Sequence, residues 1–325
     1  MGHGNCTVVI DHQATTVIDA ALGGILIDFL RDHHITKVES VLISHADADH
    51  IAGLIALLSS EDLVVQNVYL NPDPRRTSKL WEDLKSVMKE ARVKRKTAIK
   101  NALSTTIPGP LRTGDVLVQV VAPTPEFALT GVGGKSADGA KVSAHGLNAV
   151  IRLLYLDKPL ALLPGDLDEL GLSKIQADKI EIRAEVLVFP HHGGLPGKDP
   201  SAFTDALCKM VSPKLIVFSI GRGKHGTPRP EVMSAVRLAS PEAHVACTQL
   251  SERCAAKPPE FTASHLSGDV ALGHEKNHCC AGTLVIAPSP VQPILRKHAE
   301  FVSIAAPTAL CREAAKPQRE RTTNR

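Results

Sequence analysis

His45, Asp47, Asp49 and His50 put four metal-competent side chains within six positions. Imidazole nitrogens and carboxylate oxygens packed this tightly make sense when cations draw them together, since both bind divalent ions. Without a cation, Asp47 and Asp49 would repel each other and the segment would have little reason to hold one shape. Two later apolar runs end in the same donor types. One is Leu162-Leu163-Pro164-Gly165-Asp166; the other is Val186-Leu187-Val188-Phe189-Pro190-His191-His192-Gly193-Gly194. The paired histidines could also be a surface turn. A third apolar run, 216–220, leads into Gly221-Arg222-Gly223-Lys224-His225-Gly226-Thr227-Pro228, where Lys224 and His225 are candidate groups for holding an anion or protonating a leaving oxygen. A plain polar loop is the alternative there.

The elements that must position these residues follow from hydrophobic pattern. Residues 38–43 read as a buried strand and 51–58 as a buried helix, so the first donor set occupies a strand-to-helix loop. Strands are also expected over 6–10, 15–20, 64–70, 114–122, 185–189 and 214–220. A hairpin is expected over 148–156 and 159–163. Helices are expected over 24–32 and 231–238. Residues 75–103 read as one basic helix carrying Lys85, Lys89, Arg92, Lys94, Arg95, Lys96 and Lys100. Such a face is either solvated or guides an anionic substrate, with Lys94, Arg95 and Lys96 as its candidate contacts. Residues 128–146 are rich in Gly, Ser and Ala without periodicity and read as a mobile loop that could lie over the site. Alternating buried strands and helices without repeats indicate layered α/β.

His45-Ala46-Asp47-Ala48-Asp49-His50 resembles the His-x-His-x-Asp-His metal motif of the metallo-β-lactamase superfamily, with Asp47 at the second His. That variant, together with Pro190-His191-His192-Gly193, resembles the branch containing the hydrolase domain of the ComEC DNA-uptake proteins. Gly2-His3-Gly4-Asn5 and Val17-Ile18-Asp19 resemble the opening of that branch. The resemblance covers about residues 2–240 and implies a four-layer αββα sandwich with two divalent metals, Zn2+ or Mn2+, at one edge of the sheets. It implies His45, Asp47 and Asp166 on the first metal, and Asp49, His50, the bridging Asp166 and His191 on the second. His145 or Asn148 is the candidate extra ligand of the first. Asp49, His192 and His225 are the residues placed nearest catalysis. The implied mechanism is attack by a water that two cations acidify, so that no Ser or Cys nucleophile is needed. Asp47 in place of a His hardens the donor set and makes Mn2+ as reasonable as Zn2+.

A second group of donors lies further on. Cys247, Cys254, His278, Cys279 and Cys280 could bind a structural Zn2+, or the thiols could sit buried in paired strands 244–250 and 281–287. The implied organisation is a hydrolase domain over 1–240, a C-terminal extension packed on it over 241–315, and a disordered polar tail over 316–325.

Composition bounds the rest. At 325 residues the chain can hold one large domain or two. Hydrophobic residues make up 43% and aromatics only 3%, so the core is aliphatic and base-stacking platforms are scarce. A formal charge of +3 does not by itself argue for nucleic acid. No apolar run is long enough to span a membrane, the first residues do not read as a signal peptide, and seven cysteines then suggest a reducing, cytoplasmic setting. The expected function is a free-standing metallohydrolase of phosphoesters: a nuclease or nucleotide phosphodiesterase acting on an anionic substrate. The alternatives are a hydrolase of another ester, such as a phosphorylcholine or lactone type, and a binding or regulatory protein built on a weakened metal site.

Overall fold

A computed structural model describes residues 3–107, 111–137, 139–223, 225–287 and 292–312, the side chains of 292–294 excepted. The sequence pattern resolves into two sheets. The first is five-stranded, in the order β1 (Thr7–Asp11), β2 (Ala14–Ile18), β3 (Lys37–Ile43), β4 (Val64–Leu70) and β5 (Ala98–Lys100). The second has seven strands, ordered from β12 (His244–Cys247) through β11 (Leu215–Phe218), β10 (Val186–Val188), β9 (Lys158–Leu163), β8 (Val150–Tyr155) and β7 (Val116–Ala122) to β6 (Leu111–Thr113).

Strand alternation explains why two sheets need three apolar layers. Leu42 of β3 faces the second sheet, packing in one cluster with Leu163, Val186 and Val217, while Val41 and Ile43 join the opposite face. That outer face is covered by α1 (Ile25–Asp32), α2 (Ala48–Ser59) and α3 (Lys79–Glu90) through Leu26, Leu54 and Leu84. On the second sheet Leu162 and Leu187 turn outward, under α5 (Glu169–Ala177), α6 (Pro200–Val211), α7 (Pro230–Ala239) and α8 (Gln292–Ala305). A short α4 (Pro125–Thr130) precedes the loop that leads to β8. The result is the four-layer αββα sandwich of the metallo-β-lactamase fold. Phe301 and Val302 of α8 enter the same apolar cluster as α6 and α7.

Several elements differ from the sequence expectation. The basic stretch is not one helix. After α3 the chain makes a wide turn over Ala91–Arg95, and Lys96 adopts a left-handed backbone (φ 61°) that ends it. Residues 98–100 then pair with β4 as β5. The strand expected over 114–122 is broken by a tight turn at Gly114. Residues 281–287 form no strand, although the N–H groups of Cys280, Ala281 and Gly282 donate to the Cys247 and Thr248 carbonyls at the end of β12, beside the bridge Gln249–Cys279. Helices α4, α6 and α8 were not expected. The tail over 316–325 lies outside the described residues. Among the described residues, no helix is long and apolar enough to cross a membrane.

Candidate metal centre

The site forms where the two sheets present their strand ends. β3 ends at Ile43, and the following loop delivers His45 before α2 starts. Asp47 occupies the N-cap of α2, yet its carboxylate makes no capping hydrogen bond. A capping Asp is ordinarily worth about 1 kcal/mol, so the side chain is turned elsewhere at a cost. Its Oδ2 lies 3.1 Å from His145 Nε2 and 3.5 Å from His45 Nε2, and its Oδ1 is paired with the Arg76 guanidinium. Asp49 and His50, in the first turn of α2, face the other way. Asp49 Oδ2 lies 3.1 Å from His192 Nε2.

Asp166 joins the two groups. It follows β9 through Gly165, whose left-handed backbone (φ 53°) and close neighbours require glycine: a Cβ would come within 2.3 Å of Asn148 Oδ1 and 2.7 Å of Ser44 Oγ. The carboxylate is buried. Its Oδ1 points to His50 Nε2 (3.5 Å) and His192 Nε2 (3.8 Å), and its Oδ2 to His45 Nε2 (3.9 Å) and His191 Nδ1 (3.6 Å). Asn148 does not face this centre as a donor. Its Oδ1 accepts from the Asp166 backbone N–H at 3.0 Å and its amide donates to the Pro164 carbonyl, so it braces the turn. His145, from the long loop before β8, is the residue of that pair whose ring reaches the donors.

Hydrogen bonds behind the rings fix which nitrogen looks inward. His50 Nδ1 donates to Asp19 Oδ2 at 2.7 Å. Ser44 Oγ donates to the same carboxylate at 2.8 Å and lies 3.1 Å from His45 Nδ1, whose proton it can accept. His192 Nδ1 donates to the Ser219 carbonyl at 2.7 Å. Each arrangement leaves an Nε2 lone pair aimed at the centre, as metal-ligating imidazoles require. Those atoms test whether cations fit. The Nε2 atoms of His45, His50 and His192 and Oδ1 of Asp166 are buried and have no hydrogen-bond partner. Buried polar atoms are ordinarily paired. Three donor groups converge here: His45, His145 and Asp166; His50, Asp166 and His192; and His3, Asp49 and His192. Nitrogen and oxygen donors in this mixture suit Zn2+ or Mn2+.

The electrostatics agree with a site built for positive charge. Burial disfavours the Asp166 carboxylate, but the close His50 ring and the charges of His50, His45 and His192 hold its pKa well below the usual range. Asp47 is likewise held low, because the His145 hydrogen bond, the close His45 ring and the Arg76 charge outweigh its burial. Asp49 lies at about 2: burial raises it, and the close His192 ring and the His50 charge bring it down further. Burial pushes His191 and His3 down to about 4, so both rings are neutral at pH 7.

The two histidines of the 190–193 turn divide differently from the expectation. Both have left-handed backbones, with φ of 50° and 55°. Such residues are costly outside glycine and here send the rings to opposite sides. His192 sits with Asp49 and His50, and His191 sits beside His45 and His145. The expected assignment of His191 to the second group therefore does not match its placement, because the Ser219 carbonyl anchors His192 there instead.

His225 lies exposed on the rim, its ring 4.5 Å from that of His3. Lys224 lies outside the described residues. Lys94, Arg95 and Lys96 are not brought to the cleft. Arg95 donates to the carbonyls of Ser59, Ser60 and Leu63 at the C-terminal end of α2, and Lys94 pairs with Glu90. The donors sit at the other end of that 12-residue helix, about 18 Å away at 1.5 Å per residue. Sequence reasoning did not single out His3, Arg76 or Arg229 as site residues. His3 had one available signal, its place between Gly2 and Gly4 in the opening segment. Around the donors lies a cleft of about 610 Å³ that also includes Leu22, Leu195, His225 and Arg229.

The five residues considered for a structural zinc are gathered only in part: Cys247, Cys254 and Cys280 lie near one another and near Cys311, while the other two turn away. Cys279 Sγ turns to the Leu272 carbonyl, and His278 is half-exposed. Cys280 Sγ is 3.2 Å from His298 Nε2. Among the described residues, no group of convergent metal donors contains a cysteine.

Residues 1–140 match the family model described as the metallo-β-lactamase superfamily. That segment includes His45 to His50 and ends before His145. No curated protein matches the chain. Among solved structures, the metallo hydrolase Igni18 from Ignicoccus hospitalis is 16% identical, covering 75% of this chain and 92% of its own, with a TM-score of 0.42. The metallo-β-lactamase fold protein YhfI from Bacillus subtilis is 12% identical, covering 75% and 89%, with a TM-score of 0.44. The short form of human tRNase Z is 11% identical, covering 66% and 84%, with a TM-score of 0.37.

Proposed function

We propose that this chain, whose residues 1–140 match the metallo-β-lactamase superfamily model, is a hydrolase of that superfamily that cleaves a phosphoester with two divalent cations held about Asp166. One observation carries the reading. The two oxygens of this single buried carboxylate face two separate sets of unpartnered donors, His50 and His192 on one side and His45 on the other. A purely structural carboxylate would spend its oxygens on donors already paired with it.

His45, Asp47 and His145 would hold one ion, and Asp49, His50 and His192 the other, with Asp166 available to both. Bound there, the cations supply an acidified water and stabilise charge on the attacked centre. The protein's part is positioning. Asp19 and the Ser219 carbonyl lock two rings with Nε2 inward, and Arg76 holds Asp47 by its outer oxygen. His225 on the rim passes a proton to the departing oxygen. The Arg229 guanidinium on the cleft wall favours an anionic substrate, with the rim His225 beside it as a hydrogen-bonding group. Phosphodiesters, nucleotides among them, belong to that class. The Asp-containing motif and the Pro190–Gly193 turn are the features that support the ComEC-like branch.

The test uses purified protein with Mn2+ or Zn2+ restored, incubated with bis-p-nitrophenyl phosphate, single-stranded and duplex DNA, RNA and cyclic nucleotides. Hydrolysis of at least one, abolished by chelation, is expected. Two bound ions with no phosphoester cleaved would overturn the reading.

A further inference from the structure

Arg229 is the one arginine of the metal cleft whose guanidinium has no hydrogen bond or ion pair among the described residues. Arg76, at the edge, is committed to Asp47 and Asp73. In the neighbouring loops, Arg222 is committed to three main-chain carbonyls and Arg253 to the Gly226 carbonyl. Arg229 is nevertheless well placed. Its backbone N–H donates to the Gly193 carbonyl at 2.8 Å, which ties it to the turn bearing His192, and Pro230 at the start of α7 stiffens the next residue. The side chain lines the cleft in a half-buried position. A fixed, unspent guanidinium beside cation donors is a fork for phosphate oxygens.

The same cleft has an apolar side. Leu22 and Leu195 line it although they are 64% and 51% exposed, and Ala48, Ala52 and Leu80 continue the surface. Covering such carbon with an aliphatic group gains roughly 25 cal/mol per Å² removed from water. Among the described residues no Phe, Tyr or Trp lines the cleft, and most of its imidazoles are turned to the metal centre. A nucleobase therefore finds only the rim His225 ring or the Arg229 plane to stack on, where stacking on a large aromatic ring is worth about 1–3 kcal/mol per base. A polynucleotide also needs a track of cations along its backbone, and the 94–96 run lies at the far end of α2.

We propose that the cleft takes a small phosphoester with an aliphatic substituent, Arg229 gripping the phosphoryl oxygens and the leucine side covering the substituent. This rests on the hydrolase reading above, but binding tests it without turnover. Inorganic phosphate, butyl phosphate and thymidine monophosphate are titrated calorimetrically into the metal-loaded full chain. Butyl phosphate should bind tighter than either of the others. Arg229→Gln should keep its metal content and melting temperature and weaken all three by at least about tenfold, the usual scale for a lost charged fork. Arg229→Lys should recover part of that loss. Leu22→Ser with Leu195→Ser should abolish the advantage of butyl phosphate alone. Tighter binding of thymidine monophosphate than butyl phosphate, or unchanged phosphate affinity in Arg229→Gln, overturns the proposal. Arg229-dependent binding without cleavage of any phosphoester sinks the hydrolase reading and leaves this anion site standing.

Discussion

The buried cluster around Asp166 and the buried cluster around Cys280 both join histidines to acidic or thiol side chains, and they differ in what their polar atoms have left to give. Around Asp166, three inward Nε2 atoms and a carboxylate oxygen are buried without partners. Around Cys280, most contacts are spent within the cluster, and His265 Nδ1 is the ring nitrogen there left buried without a partner. Cys280 Sγ meets His298 Nε2, His298 Nδ1 meets His244 Nε2 at 2.9 Å, and His265 donates to the Cys280 carbonyl at 2.6 Å. Burial pushes the Cys280 thiol up to about 12 and Cys247 well above its ordinary value, so without a cation both stay protonated. Residue types alone do not separate the clusters; unsatisfied convergence does.

The largest effect that could break the contrast is at Asp166. Asp166→Asn keeps the size but leaves the cations' repulsion unscreened, so one ion should be lost and hydrolysis should fall at least about a hundredfold, roughly 2.7 kcal/mol in barrier. Cys280→Ser should leave the metal content alone. Asp168→Asn is the paired control. Asp168 caps α5 through the Gly171 N–H at 2.9 Å, so this variant should lose about 1 kcal/mol of stability and keep most activity. Wild-type turnover by Asp166→Asn with both ions bound would dismantle the assignment.

Asp19→Asn comes next. It weakens the anchor of the His50 ring without touching the donor atoms, and loss of such an orienting partner usually costs about 10- to 100-fold in metal affinity. Competition with a chromogenic chelator measures it; an unchanged affinity would mean that the ring needs no anchor.

The thiol-side cluster should answer to pH instead. Burial, with His244 and His265 adding, holds His298 at about 3 against an unfolded value of about 6.5. The folded value is the lower one, so the stability from the neutral ring is complete above about 6.5 and drains away as pH falls toward 3. Urea midpoints between pH 7 and 4.5 should drop for the wild type and less steeply for His298→Gln. Parallel profiles would show that the ring is protonated without penalty.

The smallest effect concerns the basic stretch. Lys94→Glu and Lys96→Glu should leave kinetics and salt dependence as they are. Arg95→Glu should lower stability by about 1 kcal/mol, since its guanidinium holds the last carbonyls of α2. A flattened salt dependence on a polymeric substrate would restore the guiding role expected from sequence.

These residues also show what was legible beforehand. His45 to His50 could be read because strand, loop and helix are contiguous there, and Asp166 because an apolar strand runs into Gly-Asp. The roles of His191 and His192 could not, since neighbouring rings are sorted by two left-handed backbones and by a carbonyl 27 positions downstream. Arg76 was hidden for a similar reason: its partner is 29 positions away, and nothing local marks the fold-back that joins them. The 75–103 stretch has helical composition throughout, but pairing of Ala98–Lys100 with β4 overrides it.

Asp166 and His192 come from the strand ends of the seven-stranded sheet, and His45, Asp47, Asp49 and His50 follow a strand of the five-stranded one. The cations would thus act as rivets between halves separated in the chain by more than a hundred residues. A ligand that binds only the docked form stabilises it by RT ln(1 + [L]/Kd), about 2.7 kcal/mol at a hundred times Kd. The supply of free metal would then govern how often the sandwich gapes, and with it the protein's lifetime among proteases.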